Sequence, residues 1–306
     1  MLGQILASTE GFVHVGELNH LWEHNVLGCR PCGCGRAIAD CAFWNAVFER
    51  AFGGASETLA RTMLAAQRSV RTRNTAQMLM PRARTKIVGR MADYLTNMSA
   101  LYDSIAAVSG AQVVVDSSKH PSYGYLVAQA PGVDLRAVHL IRDPRASAYS
   151  WLRRSHASVA TEHPGEPPMP RVAPARAALT WCTWNAATEW MWRGSHDRLV
   201  VRYEEFAADP QDSLRTIVAF AGSPGAALPF VSDRTVEIAA GHTVAGNPMR
   251  FETGTVDIVV QNEWIAELAR SSRATVTALC LPLLRRYGYR VRRGAQPEAS
   301  LRQSVR

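Results

Sequence analysis

AVHLIRDPRASAYSWLRR, residues 137–154, changes character in the middle. The segment 135–142 is an apolar, branched run that reads as a buried β-strand, and Arg142 closes it. Asp143 then suits a helix N-cap and Pro144 the first helical position, so DPRASAYSWLRR starts an amphipathic helix. A strand feeding straight into a helix is half of a βαβ unit. Two more such units flank it. QVVVDSS (112–118) reads as a strand with a short helix after Pro121, and RLVVRYEEF (198–206) as a strand followed by the helix QDSLRTIVAFAG.

Apolar strands alternating with helices predict an α/β fold with a central parallel sheet covered on both faces. Ligands in such sheets bind beyond the carboxyl ends of the strands, which selects residues 116–120, 142–150 and 202–205. Outside these units, residues 1–8 place Leu2, Ile5 and Leu6 at helical spacing, and FVHV (12–15) is a short apolar run. Helical patterns fill residues 43–109, and a Trp-rich helix spans 175–192. The Pro-rich segment 161–174 reads as a mobile loop that could recognise an acceptor.

The 306 residues carry 34 Lys and Arg against 26 Asp and Glu, a net charge of +8. That excess favours an anionic partner, and the tail beyond residue 290 supplies part of it. Nucleic acid is not the expected partner, because no basic stretch is interleaved with stacking aromatics. No apolar run is long enough to span a membrane. The first residues lack the features of a signal peptide, so the chain reads as cytoplasmic. We expect one domain over 1–290 and a basic, disordered tail over 291–306.

Arg142 at a strand end and Ser150 on the next helix, about 10 Å of rise beyond Asp143, can together hold a phosphate. A guanidinium makes paired bonds to phosphate oxygens. On chemistry alone a second reading stands beside this one, with Arg142 paired to a carboxylate and Ser150 facing solvent. The wording of the segment resembles the 3′-phosphate-binding segment of sulfotransferases that use 3′-phosphoadenosine 5′-phosphosulfate (PAPS), above all tyrosylprotein sulfotransferases and related bacterial enzymes. VRYEEFAADPQDSLRTIVAFAG (201–222) is similar to a later strand–helix unit of that family.

The resemblance implies a P-loop-like three-layer α/β/α fold in which PAPS donates a sulfuryl group to a hydroxyl or amine, leaving 3′,5′-ADP. The acceptor would be a small molecule, glycan, lipid or peptide. It also implies roles for residues. Arg142 and Ser150 would bind the 3′-phosphate and Tyr203 would lie near the adenine. Lys119 in VVVDSSKHP (113–121) would steady the phosphosulfate. His120 is a further candidate for proton transfer, and Glu17 in HVGELNHLW (14–22) falls where the acceptor's base would lie. Arg250 in GHTVAGNPMRFETG (241–254) would touch phosphate, although the family's Arg-Lys-Gly run is replaced by Met249-Arg250-Phe251. No catalytic metal is implied.

One departure is large. The family binds the 5′-phosphosulfate with a loop like R-S-G-[ST]-[ST] between a first strand and first helix, and this sequence contains none. Residues 1–8 resemble the helix that comes after such a loop, so the first strand and loop are expected to be missing. The alternative function is then a truncated, catalytically impaired nucleotide-binding or interaction protein. A P-loop kinase fits less well, since GxxxxGK[ST] is absent. Finally, Cys29, Cys32, Cys34 and Cys41 lie within thirteen residues. Four close cysteines can hold a structural zinc, but CRPCGCG-x5-C lacks the usual paired spacing, leaving free thiols and redox pairing as alternatives.

Overall fold

The computed structural model describes residues 1–70, 77–78, 80–153, 171–246 and 248–291. Residues 161–170 of the expected acceptor loop and 292–306 of the expected tail lie outside the described residues. The chain is a mixed α/β protein. Helix α1 (Leu2–Ala7) leads to strand β1 (Phe12–Gly16). Then come α2 (Ala42–Phe52), α3 (Glu57–Ser69), α4 (Pro81–Arg90), α5 (Ala92–Ser109) and β2 (Val113–Asp116). The central part holds α6 (Pro121–Val127), β3 (Ala137–Ile141), α7 (Pro144–Arg153), α8 (Pro174–Met191) and β4 (Arg198–Arg202). The rest is α9 (Tyr203–Ala208), α10 (Pro210–Phe220), β5 (Thr235–Ile238), β6 (Gly254–Asp257), α11 (Trp264–Glu267) and α12 (Arg270–Arg286).

Prolines open α6, α7, α8 and α10, where the missing N–H costs nothing. Asp143 caps α7 as expected, its Oδ1 accepting from the Arg145 amide at 2.8 Å. The strand expected over 198–206 is shorter. It ends at Arg202, and YEEF coils into α9.

The strands form two parallel pairs, β1–β2 and β3–β4, and one antiparallel pair, β5–β6, instead of one continuous ladder. Each parallel pair brings two strand ends together. In β3–β4 the register matches Ile141 with Arg202, so Arg142 and Tyr203 emerge side by side. In β1–β2 an irregularity after His14 matches Gly16 with Asp116, which sets Glu17 beside the turn carrying Lys119.

Three apolar clusters support this frame. The largest gathers Trp22, Trp44, Phe48, Met63 and Leu101. A second packs Ile5 and Leu6 of α1 against Phe12, Phe206, Leu214 and Ile217, so α1 does turn its apolar face inward. The third joins Ile141 and Ala148 to Val276, Cys280 and Leu284 of α12.

Candidate active site

Asp116 ends β2 and is half-buried, and each of its carboxylate oxygens has more than one donor. Oδ1 accepts from the Ser118 amide (2.8 Å), the Ser118 hydroxyl (2.6 Å) and the Leu18 amide (3.3 Å). Oδ2 accepts from Tyr102 (2.7 Å) and Tyr123 (3.3 Å). Burial raises its pKa in spite of these bonds, which pull the other way. Asp116 thereby ties the loop after β1 to the turn after β2, and the Asn19 amide adds a bond to the Ser118 hydroxyl at 3.0 Å.

Lys119 projects from that turn and forms an ion pair with Glu17. The two side chains differ sharply in exposure, Glu17 at 13% and Lys119 at 60%. Glu17 is held from its other side as well. Its amide donates to the Val244 carbonyl at 2.8 Å, and the imidazole of His20 lies 3.9 Å from its second oxygen. His20 stacks on His24 at 4.5 Å and meets the edge of His120 at 5.7 Å. Burial lowers the pKa of all three imidazoles, His24 to about 4, so they are neutral at neutral pH.

At the second pair of strand ends, the guanidinium of Arg142 lies 4.8 Å above the ring of Tyr203 and donates to Gln261 at 3.1 Å. Its Nε is buried without a partner. Burial raises the phenol pKa of Tyr203. A saturated frame fixes the turn beneath. Asp143 takes the Arg145 Nε at 2.9 Å and Nη2 at 2.6 Å, and Arg145 continues to the Arg290 carbonyl at 2.9 Å. The Asp143 amide donates to Glu204 at 2.9 Å, and Glu204 accepts from Tyr289 at 2.8 Å. Ser150, farther along α7, is half-buried and has no hydrogen-bond partner among the described residues.

Helix α8 links the two groups. Trp181 Nε1 donates to the Arg142 carbonyl at 3.0 Å, and Trp184 packs on His120 at 4.8 Å. Positions three apart lie on one helix face, so α8 spans from one pair of strand ends to the other.

The structure thus gathers Glu17, Lys119 and His120 in one corner and Arg142 with Tyr203 in another. Arg250 joins neither. It is 6% exposed and donates to the carbonyls of Pro31 (3.1 Å) and Thr243 (3.0 Å), so it clamps two loops. Cys29 is exposed, away from the other three cysteines, and His242 joins them in its place. Sequence reasoning missed His20, Gln261, Trp181, Trp184 and Glu204. Glu204, His20, Trp181 and Trp184 all sat inside stretches already singled out, Glu204 beside Glu205, His20 three residues after Glu17 and the tryptophans in the Trp-rich helix, while Gln261 lay outside any of them.

A parallel α/β frame thus presents Lys, Arg, Glu and His beyond its strand ends, a chemistry compatible with anionic ligands. The sequence comparison is more specific. A family model described as "Sulfotransferase domain" matches residues 65–246, more than half of the chain, and the chain belongs to that family. Lys119, His120, Arg142, Ser150 and Tyr203 fall inside the match, while Glu17 and Arg250 fall outside it. No curated protein matches the chain. Among solved structures it is similar to the "Sulfotransferase Domain from the Curacin Biosynthetic Pathway", with 10% identity, a TM-score of 0.39, and coverage of 89% of this chain and 96% of that one.

Proposed function

We propose that this protein moves a sulfuryl group from PAPS to a hydroxyl or amine of a small-molecule, glycan, lipid or peptide acceptor, releasing 3′,5′-ADP. The observation that carries this reading is the span of α8, which reaches Arg142 through Trp181 and His120 through Trp184. An anion-holding corner and a proton-handling corner then border one cleft. The three-layer arrangement such a cleft needs has support in the packing. Val13, Val114 and Ala137 face the first apolar cluster, while Phe12, Val113, Val138 and Leu199 face the second.

The residues fit the nucleotide. The Nε of Arg142 and the hydroxyl of Ser150, both without a partner among the described residues, are donors suited to its 3′-phosphate, with Tyr203 beside Arg142 for the base. When bound, PAPS supplies an activated sulfuryl group and an anionic leaving group. Glu17 takes the acceptor's proton as the new S–O bond forms. The bond to the phosphate oxygen breaks with its electrons retained by 3′,5′-ADP, and Lys119 neutralises that charge. The exposed Lys119, paired only with Glu17, is free to swing to the incoming anion and so release the carboxylate. His120, neutral at working pH because burial lowers its pKa, is available to hydrogen-bond the acceptor. As in phosphoryl transfer, positioning and charge stabilisation carry most of the catalysis.

The test is calorimetric binding of 3′,5′-ADP together with turnover of PAPS over an acceptor panel. Losing charge-assisted bonds of about 1.5–3 kcal/mol predicts that Arg142→Ala weakens 3′,5′-ADP binding about 10- to 100-fold. Glu17→Gln should lower kcat about 10²- to 10⁴-fold with 3′,5′-ADP affinity kept. A wild-type chain that does not bind 3′,5′-ADP, or an Arg142→Ala variant that binds it equally well, refutes the proposal.

A further inference from the structure

We propose that Cys32, Cys34, Cys41 and His242 bind one zinc ion, which fastens the cysteine loop to the segment around Val244. The four ligand atoms lie within 4.8 Å of one another. With Zn–S near 2.3 Å and Zn–N near 2.0–2.1 Å, a tetrahedral site requires S···S separations of about 3.8 Å and S···N separations of about 3.6 Å. The thiol sulfurs of Cys41 and Cys32 are 3.7 Å apart, and those of Cys34 and Cys41 are 3.8 Å apart. The His242 Nδ1 lies 3.3 Å from Cys41 and 3.9 Å from Cys32. These are four of the six edges of one tetrahedron, and the other two are no longer than 4.8 Å. A disulfide accounts for them less well, because Cys41 stands equally near two sulfurs and the imidazole points at the same centre.

The surroundings are built for such a site. Cys32 and Cys41 are fully buried. Phe43 stacks on the His242 ring at 4.7 Å, and Trp44 Nε1 donates to the His242 carbonyl at 2.9 Å. The chain makes a tight turn through the first two ligands, with the Gly35 amide just after Cys34 donating to the Cys32 carbonyl at 2.8 Å and Gly35 at φ +81°. Gly33 crosses the His242 segment so closely that a Cβ would sit 2.3 Å from the Thr243 hydroxyl. Arg250 grips both sides through the Pro31 and Thr243 carbonyls. Three thiolates and one imidazole fill the coordination shell, which is the pattern of a structural site rather than a catalytic one. Its reach is functional all the same. Val244 pairs with Gly16 at the end of β1 and accepts the Glu17 amide, so the ion buttresses the loop that holds Glu17.

Elemental analysis of the purified full-length chain should find about one zinc per chain, and cobalt exchange should give the intense visible bands of a tetrahedral thiolate site. Cys29→Ser should keep the metal, while Cys34→Ser and His242→Ala lose it and His242→Cys restores it. Native mass spectrometry of the wild type serves where a variant fails to fold. A metal-free native chain, a mass short by the two hydrogens of a disulfide, iron in place of zinc, or zinc loss in Cys29→Ser each overturns the proposal.

Discussion

His14 should make the fold acid-labile in a window set by its burial. The side chain sits on β1, 8% exposed, with Nε2 2.7 Å from the Ser117 hydroxyl and Nδ1 buried without a partner. Gly3 of α1 packs over the ring so closely that a Cβ there would lie 2.5 Å from Nε2. Burial, with neighbouring positive charge adding to it, lowers the His14 pKa from 6.5 to about 3. The folded chain therefore refuses a proton that the unfolded chain accepts once the pH falls below 6.5. Stability is intact above that value and drains away as the pH falls toward about 3. Each pH unit is worth about 1.4 kcal/mol, so acidification to about pH 4.5 should remove about 2.7 kcal/mol through this one group. The other histidines and Asp116 also titrate, so the informative quantity is a difference. Urea unfolding of wild type and His14→Gln at about pH 7.5 and about pH 4.5 should show the variant losing roughly 2–3 kcal/mol less stability between the two. Equal losses in the two proteins refute the argument, whatever the variant does to stability at neutral pH.

Two further perturbations probe the frame of the site. Gly16 has φ +82°, and a Cβ on it would lie 2.1 Å from the Val244 carbonyl oxygen. Gly16→Ala should therefore break the β1–Val244 pairing and lower stability by more than about 2 kcal/mol in urea melts, with PAPS turnover falling as Glu17 loses its anchor. Asp143→Ala leaves the buried Arg145 guanidinium without its carboxylate, and should cost about 3–5 kcal/mol by the same measurement.

How far the sequence revealed this arrangement depends on the range of the interactions. Strands β2 and β3 were legible because branched apolar runs end in polar residues there. The proline-started helices were legible because proline restricts its own φ. The gathering of Arg142 with Tyr203 followed from two strands of similar pattern ending alike. Three features escaped. The turn of Tyr203 into α9 was hidden because YEEF serves a strand or a helix equally well. The antiparallel pair β5–β6 has four residues per strand, too few for periodicity to register. His242 stands more than 200 residues from the cysteines it joins, so local spacing favoured Cys29. The structure excludes Cys29 because its backbone turns to φ +53° and its side chain faces outward. The placement of Arg250 was hidden for a related reason: an arginine in a loop reads as a surface cation, whereas here its guanidinium is buried and donates to the carbonyls of Pro31 and Thr243.

The distribution of unsatisfied donors then bears on the proposed ligand. Asp143 and Arg145 are buried and Asp116 half-buried, and all three are bonded to several partners each; they hold turns and have little left to offer a ligand. Among the described residues, Arg142 keeps an orphan Nε, Ser150 has no partner for its hydroxyl, and Lys119 is mostly exposed on a single acidic partner. A buried donor without an acceptor costs about 1–3 kcal/mol, a cost that persists in the ligand-free chain and is recovered when an acceptor arrives. All three of these groups can donate hydrogen bonds and two of them are cations, a set that supports the proposed oxygen-rich anionic ligand held between the two corners spanned by α8.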